Sequence, residues 1–296
     1  MLGTVDVGRL GVFLGQHATL PAAELRQTAR LIEDLGYGTI WVGEGFFREV
    51  FAQCAMLLAA TEHITIASGI ANIYARDAVA MSNGARALAE GFPDRFVLGL
   101  GVSHAHLLSR RGHEYPKPVP AMRAYLDAMA QAPYMSRLPE HPAPVVLGAL
   151  GPKMMELAGN RAQGACSYFV DEAHTRESRR LLGDDRFLAV NMPAVVAPDL
   201  AGARGIGDGQ MKNYLGMPNY TQNLVRGGWS EGDVAGAGSD ELFDAVVAWG
   251  DAAGLRARVQ RHFAAGADHV VLNVISATPD RPAEAELRLI AGALPG

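Results

Sequence analysis

A strand, a helix and a second strand follow one another within residues 64–106, and this unit limits the possible folds more than any other stretch of the chain. Ile64–Ile70 and Phe96–Gly101 are short apolar runs of the kind found in buried strands. Between them, Asp77 is a predicted helix N-cap and Gly91 marks the end of an amphipathic helix. A helical crossover joins parallel strands, so the stretch predicts a parallel βαβ unit.

The same alternation of apolar runs and helical segments continues along the chain. We predict six further strands, at Leu10–Gly15, Thr39–Val42, Val145–Leu150, Ala165–Phe169, Phe187–Val196 and His269–Ile275. About eight strands alternating with helices, with no break in composition, predict a (β/α)₈ TIM barrel that forms a single domain over residues 1–296. An open doubly wound sheet is the alternative, and it is disfavoured because no G-x-G-x-x-G follows the first strand.

The stretch between Val196 and His269 is predicted to be an elaboration after the seventh strand. Its helical segments are expected at Gln210–Arg226, with a break near Gly216 and Pro218, at Leu242–Trp249 and at Leu255–Ala265.

Composition and charge indicate which binding partners and which cellular compartment to expect for this protein. The net charge of −5 argues against a nucleic-acid or anionic-membrane partner. The two cysteines, Cys54 and Cys166, are expected to be buried free thiols, as in a reducing cytosol. The sequence shows no signal peptide and no apolar run long enough to span a bilayer, so we expect a cytoplasmic protein with no membrane partner.

Two titratable residues follow predicted strands, where ligands of α/β barrels gather. Glu44 follows the second strand and could act as a base or bind a polar ligand, with an ion pair or a helix cap as the alternative. His104 follows the fourth strand and could transfer protons, with a solvated loop histidine as the alternative. His106 is a rival, because residues two apart tend to face alike on a strand. The pair also resembles a metal site, but no spacing signature adds further ligands, so we predict no metal.

The fifth strand leads into Gly151, Pro152 and Lys153, which predict the start of a helix. The free N–H groups and the dipole of such a helix start suit a phosphate, although ordinary helix-start chemistry gives the same pattern. Tyr168, Phe169 and His174 follow the sixth strand and could wall a pocket or serve only in packing.

Several stretches, taken in order, resemble the bacterial luciferase-like superfamily, and within it the deazaflavin-dependent (coenzyme F420) oxidoreductases of actinobacteria. The stretches are ARLIEDLGYGTIWVGEG (29–45), ASGIANIYARD (67–77), GFPDRFVLGLGVSH (91–104), ALGPKMMELAGNRAQG (149–164) and AAGADHVVLNV (264–274). The resemblance runs from about Leu10 to Ile275. It implies a (β/α)₈ barrel, a small-molecule substrate and a homodimer.

The resemblance also implies where the cofactor binds. An isoalloxazine-like ring would lie against the third strand, in contact with Gly69, Ile70 and Asn72 and with Gly101 and Ser103 of the next strand end. The matching bulge in the family carries a cis peptide bond that is not followed by proline, and we expect this bond between Gly69 and Ile70.

Two cofactors and several activities follow from the resemblance. Coenzyme F420 carries a hydride at C5, whereas FMN supports monooxygenation, so F420-dependent hydride transfer is the first hypothesis and an FMN monooxygenase the second. Many relatives have Asp-His where this chain has Glu44 and Gly45, and several have Glu where it has His104. We therefore predict proton transfer by His104, as an imidazolium acid assisted by Glu44. A non-catalytic F420- or flavin-binding protein is the third hypothesis, and a metal-dependent barrel hydrolase is the fourth.

Overall fold

Eight parallel strands close into a barrel covered by helices, which confirms the predicted (β/α)₈ fold. The computed structural model describes residues 2–15, 19–278 and 281–292. The strands are β1 (Leu10–Phe13), β2 (Thr39–Val42), β3 (Thr65–Ser68), β4 (Ala71–Asn72), β5 (Phe96–Gly101), β6 (Val145–Gly148), β7 (Gly164–Tyr168), β8 (Phe187–Val196), β9 (Ala248–Gly250) and β10 (His269–Val274). The helices are α1 (Ala22–Asp34), α2 (Val50–Leu58), α3 (Ala78–Gly91), α4 (Ala105–Ser109), α5 (Pro118–Ala130), α6 (Pro152–Arg161), α7 (Glu172–Leu182), α8 (Leu200–Leu215), α9 (Pro218–Arg226), α10 (Asp240–Val246), α11 (Ala252–Ala264) and α12 (Glu284–Ala291).

The barrel closes through β10, which pairs in parallel with both β1 and β8. The strand order around it is β10-β1-β2-β3-β5-β6-β7-β8. The short β4 pairs with the end of β5, and β9 pairs with the end of β8. Hence β8 is the seventh barrel strand, and α8, α9, α10 and β9 form the predicted elaboration after it. Within the part of the chain that the structure describes, no helix is long and apolar enough to cross a membrane.

Alternation along the strands separates an outer core from the barrel interior. On β8, Leu188, Val190 and Met192 join the large core between strands and helices, whereas Ala189 joins a smaller cluster inside the barrel. Other strands supply this inner cluster with Trp41, Ala67, Val97, Val146, Cys166 and Val271. Residues at the next inward position of each strand therefore lie above this cluster, at the barrel mouth.

A buried histidine lies at the opposite end of the barrel, where β10 begins. The Nδ1–H of His269 donates to the carbonyl oxygen of Gly8 (2.9 Å), and its Nε2 accepts from the indole Nε1 of Trp41 (3.2 Å). A carbonyl only accepts and an indole only donates, so the two contacts fix a neutral imidazole. Burial lowers the pKa of His269 to about 4.

Several predicted elements differ from the structure in their bounds, and three of these differences change the path of the chain. The predicted strand Ile64–Ile70 ends at Ser68 of β3, where the bulge at the mouth begins, and β4 follows the bulge. The predicted helix Leu242–Trp249 ends at Val246, and Trp249 lies in β9, opposite Val195 of β8. In the elaboration, helix starts at Leu200 rather than Gln210, because Asp199 caps α8 and its glycine-rich first half keeps helical geometry.

Candidate functional site

The bulge between β3 and β4 shapes one side of the barrel mouth. The peptide bond between Gly69 and Ile70 is cis, as predicted. The side chain of Ile70 lies between two strand-end glycines: a Cβ at Gly101 would be 2.5 Å from its Cγ1, and a Cβ at Gly148 would be 3.2 Å from its Cγ2. Gly101 and Gly148 therefore make room for Ile70, and Ile70 in turn forms part of the surface of the mouth.

Phe13, at the end of β1, lies at the barrel mouth and packs against the inner cluster. A Cβ at Gly15 would lie 2.8 Å from its ring, and one at Gly43 would lie 3.1 Å from it. The ring centroid of Phe13 is 6.4 Å from that of Tyr168 on β7. The mouth thus has glycines at the ends of β2, β3, β5 and β6 and larger side chains on β7 and β1.

Glu44 lies in a buried ion pair at the edge of the bulge. Its Oε2 accepts from Nη1 of Arg76 (3.0 Å) and from the backbone N–H of Asn72 (2.7 Å), and its Oε1 pairs with Nη2 of the same arginine. Arg76 also bonds the half-exposed Glu49 (2.6 Å). Sequence analysis left an ion pair open as the alternative for Glu44, and the structure shows that pair, which fixes the backbone of Asn72 at the bulge. A catalytic role for Glu44 stays a prediction.

His104 follows β5 and occupies the N-cap position of α4. Its Nδ1–H donates to Oδ1 of Asn219 in the elaboration (3.2 Å), and its ring stacks on His106 at a centroid distance of 5.9 Å. Burial lowers the pKa of His104; the bond to Asn219 partly opposes this, and His106 adds to it. Burial therefore favours the neutral imidazole over the predicted imidazolium, and the proton-transfer role of His104 stays a prediction.

Ser103 turns the chain between β5 and His104. Its φ of 57° lies in the left-handed region, which is uncommon for a residue with a side chain. Its carbonyl oxygen accepts from the hydroxyl of Tyr115 (3.2 Å). This bond holds the turn in place, and the turn fixes the position of the His104 backbone and so of its imidazole.

The start of α6 forms a second side of the site. Gly151 is the N-cap and Pro152 the first helical residue, as predicted, and Lys153 is exposed. A Cβ at Gly151 would lie 3.6 Å from Nη1 of Arg226, which itself donates to Oδ1 of Asn223 (3.0 Å). A guanidinium from the end of α9 therefore stands beside the N–H groups of the helix start.

Aromatic rings and amides form the third side. The hydroxyl of Tyr168 accepts from Nε2 of Gln210 (2.8 Å) and from Nδ2 of Asn273 (2.9 Å), and burial raises its pKa well above the usual value. Phe169 packs beside it, as the sequence allowed. His174 lies behind this wall, where its Nε2–H donates to the carbonyl oxygen of Leu150 (2.9 Å).

The structure brings together the predicted residues of the bulge, the strand ends and the α6 start around one mouth, and it adds residues that no local pattern marked. These additions are Phe13, Arg76, Gln210, Asn219, Arg226 and Asn273. Several come from the elaboration or from distant strands, so only the closed barrel reveals them. Among residues 2–15, 19–278 and 281–292, no group of three or more His, Cys, Asp or Glu side chains is suited to a metal ion.

The fold and the mouth define a (β/α)₈ barrel enzyme with its site at the carboxyl ends of the strands. The family model for luciferase-like monooxygenases matches residues 1–269. The chain belongs to this luciferase-like family.

The similar proteins fall into two groups by the cofactor that their names state, which is F420 in some and FMN in others. A Mycobacterium tuberculosis protein named as a coenzyme F420-dependent oxidoreductase is 25% identical, over 91% of this chain and 96% of its own length. An F420-dependent secondary alcohol dehydrogenase, solved with an F420-acetone adduct, is similar in structure with a TM-score of 0.76 at 15% identity, over 97% of this chain and 98% of that one. The FMN-bound oxygenating constituent of 3,6-diketocamphane monooxygenase from Pseudomonas putida has a TM-score of 0.73 at 13% identity, with 96% of each chain covered.

Proposed function

We propose that the protein transfers a hydride between coenzyme F420 and an organic substrate. The observation that carries the proposal is the pair of surfaces at the mouth, namely the bulge with Ile70 and the α6 start beside Arg226. A flat ring with a phosphate-bearing tail needs both a supporting surface and an anion site. The F420 in the names of the Mycobacterium tuberculosis relative and of the alcohol dehydrogenase supports this cofactor.

The residues fit such a group. Ile70 would support the ring, and the backbone N–H groups of Gly151 and Lys153, together with the Arg226 guanidinium, would hold the phosphate. Gly69, Asn72, Gly101 and Ser103 would frame the ring from the bulge and the strand end, and Pro152 fixes the first turn of the helix. When bound, F420 would supply a carbon, C5, that accepts or releases a hydride.

His104 is the residue to which we assign proton transfer. Burial favours the neutral form of its imidazole, whose Nδ1–H is bonded to Asn219, so Nε2 is the nitrogen left to take a proton from a substrate. Such a base accepts the hydroxyl proton of an alcohol while its carbon is oxidised, and it returns the proton when a carbonyl is reduced.

An FMN-dependent monooxygenase is the second candidate, because the same fold carries FMN in the Pseudomonas putida structure. The deciding experiment is a titration of the purified protein with oxidised F420 and, separately, with FMN, followed by ligand fluorescence. We expect a Kd for F420 at least about tenfold below that for FMN, a difference of roughly 1.4 kcal/mol.

Turnover is then measured as loss or gain of F420 absorbance across a panel of alcohols and ketones. Binding of FMN without binding of F420 would refute the proposal in favour of the monooxygenase. Binding of F420 with no turnover across the panel would favour a non-catalytic binding protein.

A further inference from the structure

Asn191 in β8 carries a buried amide with no bonding partner. The residue is 4% exposed, and its Oδ1 is fully buried. Among the described residues, nothing donates a hydrogen bond to this oxygen. Leaving a buried polar group unpaired destabilises a folded protein, so an unpaired amide in a native fold needs an explanation.

The alternation along β8 places this amide at the barrel mouth. Ala189, two residues earlier, belongs to the cluster inside the barrel, whereas Val190 and Met192 belong to the core outside it. Asn191 therefore points inward, one layer above Ala189. In register it stands beside Tyr168 of β7 and Val271 of β10, which are both on the inner side.

Asn191 faces the bulge across the barrel. The bulge follows β3, the third barrel strand, and Asn191 is on β8, the seventh, so three strands separate them on either side. A ring resting on Ile70 would turn its free face towards Asn191. The reacting part of a substrate has to lie on that free face.

The other amides of this wall are already engaged. Gln210 and Asn273 both donate to the hydroxyl of Tyr168, whose two lone pairs they occupy. Asn191 is thus the amide of the wall whose oxygen has no hydrogen-bond donor among the described residues.

A recess of about 430 Å³ lies between α8 and the residues after β10, and Gln210 belongs both to its lining and to the wall. Its lining residues are all uncharged: Gly205, Ile206, Gly209, Gln210, Ile275, Ser276 and Ala277. A Cβ at Gly205 or at Gly209 would meet nothing within 4 Å, so close packing does not require glycine at either position. Their missing side chains keep the recess wide.

We propose that Asn191 binds the polar group of an uncharged substrate, an alcohol or a ketone, whose apolar part occupies this recess. A carboxamide both donates and accepts, which matches a hydroxyl or a carbonyl. A carboxylate or phosphate substrate would need a cation that the recess lining does not supply. The inference rests on the proposed function, since it places the substrate opposite the F420 ring.

The test uses Asn191→Leu, which replaces the amide with an apolar group of similar shape. The protein is loaded with oxidised F420, and cyclohexanone is added as the probe, because these two cannot react with each other. Ketone binding is followed by saturation-transfer NMR, with cyclohexanecarboxylate as the charged comparison. The matched control is Asn160→Leu, at an exposed position on α6.

We expect Asn191→Leu to weaken cyclohexanone binding roughly tenfold and to leave the Kd for F420 unchanged. Its Tm should rise by about 2–4 °C, because an unpaired buried amide is removed. Asn160→Leu should change neither binding constant, and wild type should bind the ketone more tightly than the carboxylate.

A fall in Tm with unchanged ketone binding would make Asn191 a structural residue and overturn the inference. A loss of F420 affinity in Asn191→Leu would assign the amide to the cofactor instead and would also overturn it. Either result leaves the proposed function standing. Failure of wild type to bind F420 refutes the proposed function itself, and the inference with it.

Discussion

At the scale of single residues, His104 should control both the rate and its pH dependence. His104→Ala is expected to lower kcat by about 10²–10⁴ and to keep F420 affinity within a few fold, because the imidazole moves a proton and does not hold the ring. For alcohol oxidation, kcat/KM should fall as pH drops through the lowered pKa of His104, below about 6.5, where the base becomes protonated. Stopped-flow or steady-state absorbance of F420 measures both quantities.

Two variants separate this role from a structural one. Asn219→Asp places a negative charge beside the imidazole, so the acidic limb of the pH profile should move to higher pH. His106→Ala should leave kcat within a few fold. Loss of turnover in His106→Ala with normal turnover in His104→Ala would move the proton-transfer role two residues along the chain.

Residues of the candidate site could be predicted from the sequence where they directly follow a recognisable strand. His104 and the helix start at Gly151 follow strands directly, so position along the chain was enough to find them. The partner of Glu44 was not predictable, because Arg76 reaches it only after the bulge has folded. Asn191 sits within an apolar run, and its missing partner is a property of the closed barrel.

At the scale of elements, the start of α6 gives a prediction for the phosphate. Gly151 has ordinary backbone angles, and a Cβ there would only touch Arg226 at 3.6 Å, so a side chain can be accommodated. Gly151→Asp should weaken F420 binding at least about tenfold, because the carboxylate pairs with Arg226 and repels the phosphate. Gly151→Ala, the matched control, should change the Kd less than threefold or so. Equal affinities of both variants and wild type would place the phosphate elsewhere.

Elements with a clear period and a capping residue were predicted closely, and the others were not. The strands Thr39–Val42, Phe96–Gly101 and Phe187–Val196 have the predicted bounds because each is a short, largely apolar run. The first half of α8 was missed because glycine has poor helix propensity, which tertiary packing here overrides. Trp249 lies in β9 and pairs with β8, and helical spacing along the sequence cannot reveal a pairing with a distant strand.

At the scale of the whole molecule, stability should depend on pH through His269. Its pKa is about 4 when folded and about 6.5 when exposed in the unfolded chain, so the unfolded state binds more protons between these values. The neutral imidazole then contributes about 3 kcal/mol above roughly pH 6.5, and this contribution is lost as pH falls towards 4. Urea unfolding at a series of pH values measures the free energy of unfolding.

His269→Gln keeps one donor and one acceptor but cannot titrate, so it should flatten this part of the pH dependence. His63→Gln serves as the control, because the side chain of His63 is 86% exposed. An unchanged slope in His269→Gln would show that other groups carry the acid sensitivity.

Because the barrel closes through β10, its last strand, the barrel cannot be completed early in synthesis on the ribosome. β1 is made before the other barrel strands, yet its second neighbour, β10, is made after all of them. Until that strand emerges, β1 and β8 both present unpaired edges, the kind of surface that chaperones protect and that invites aggregation. The nascent barrel therefore stays open until its last strand is made, and the mouth that holds the candidate site cannot form before then.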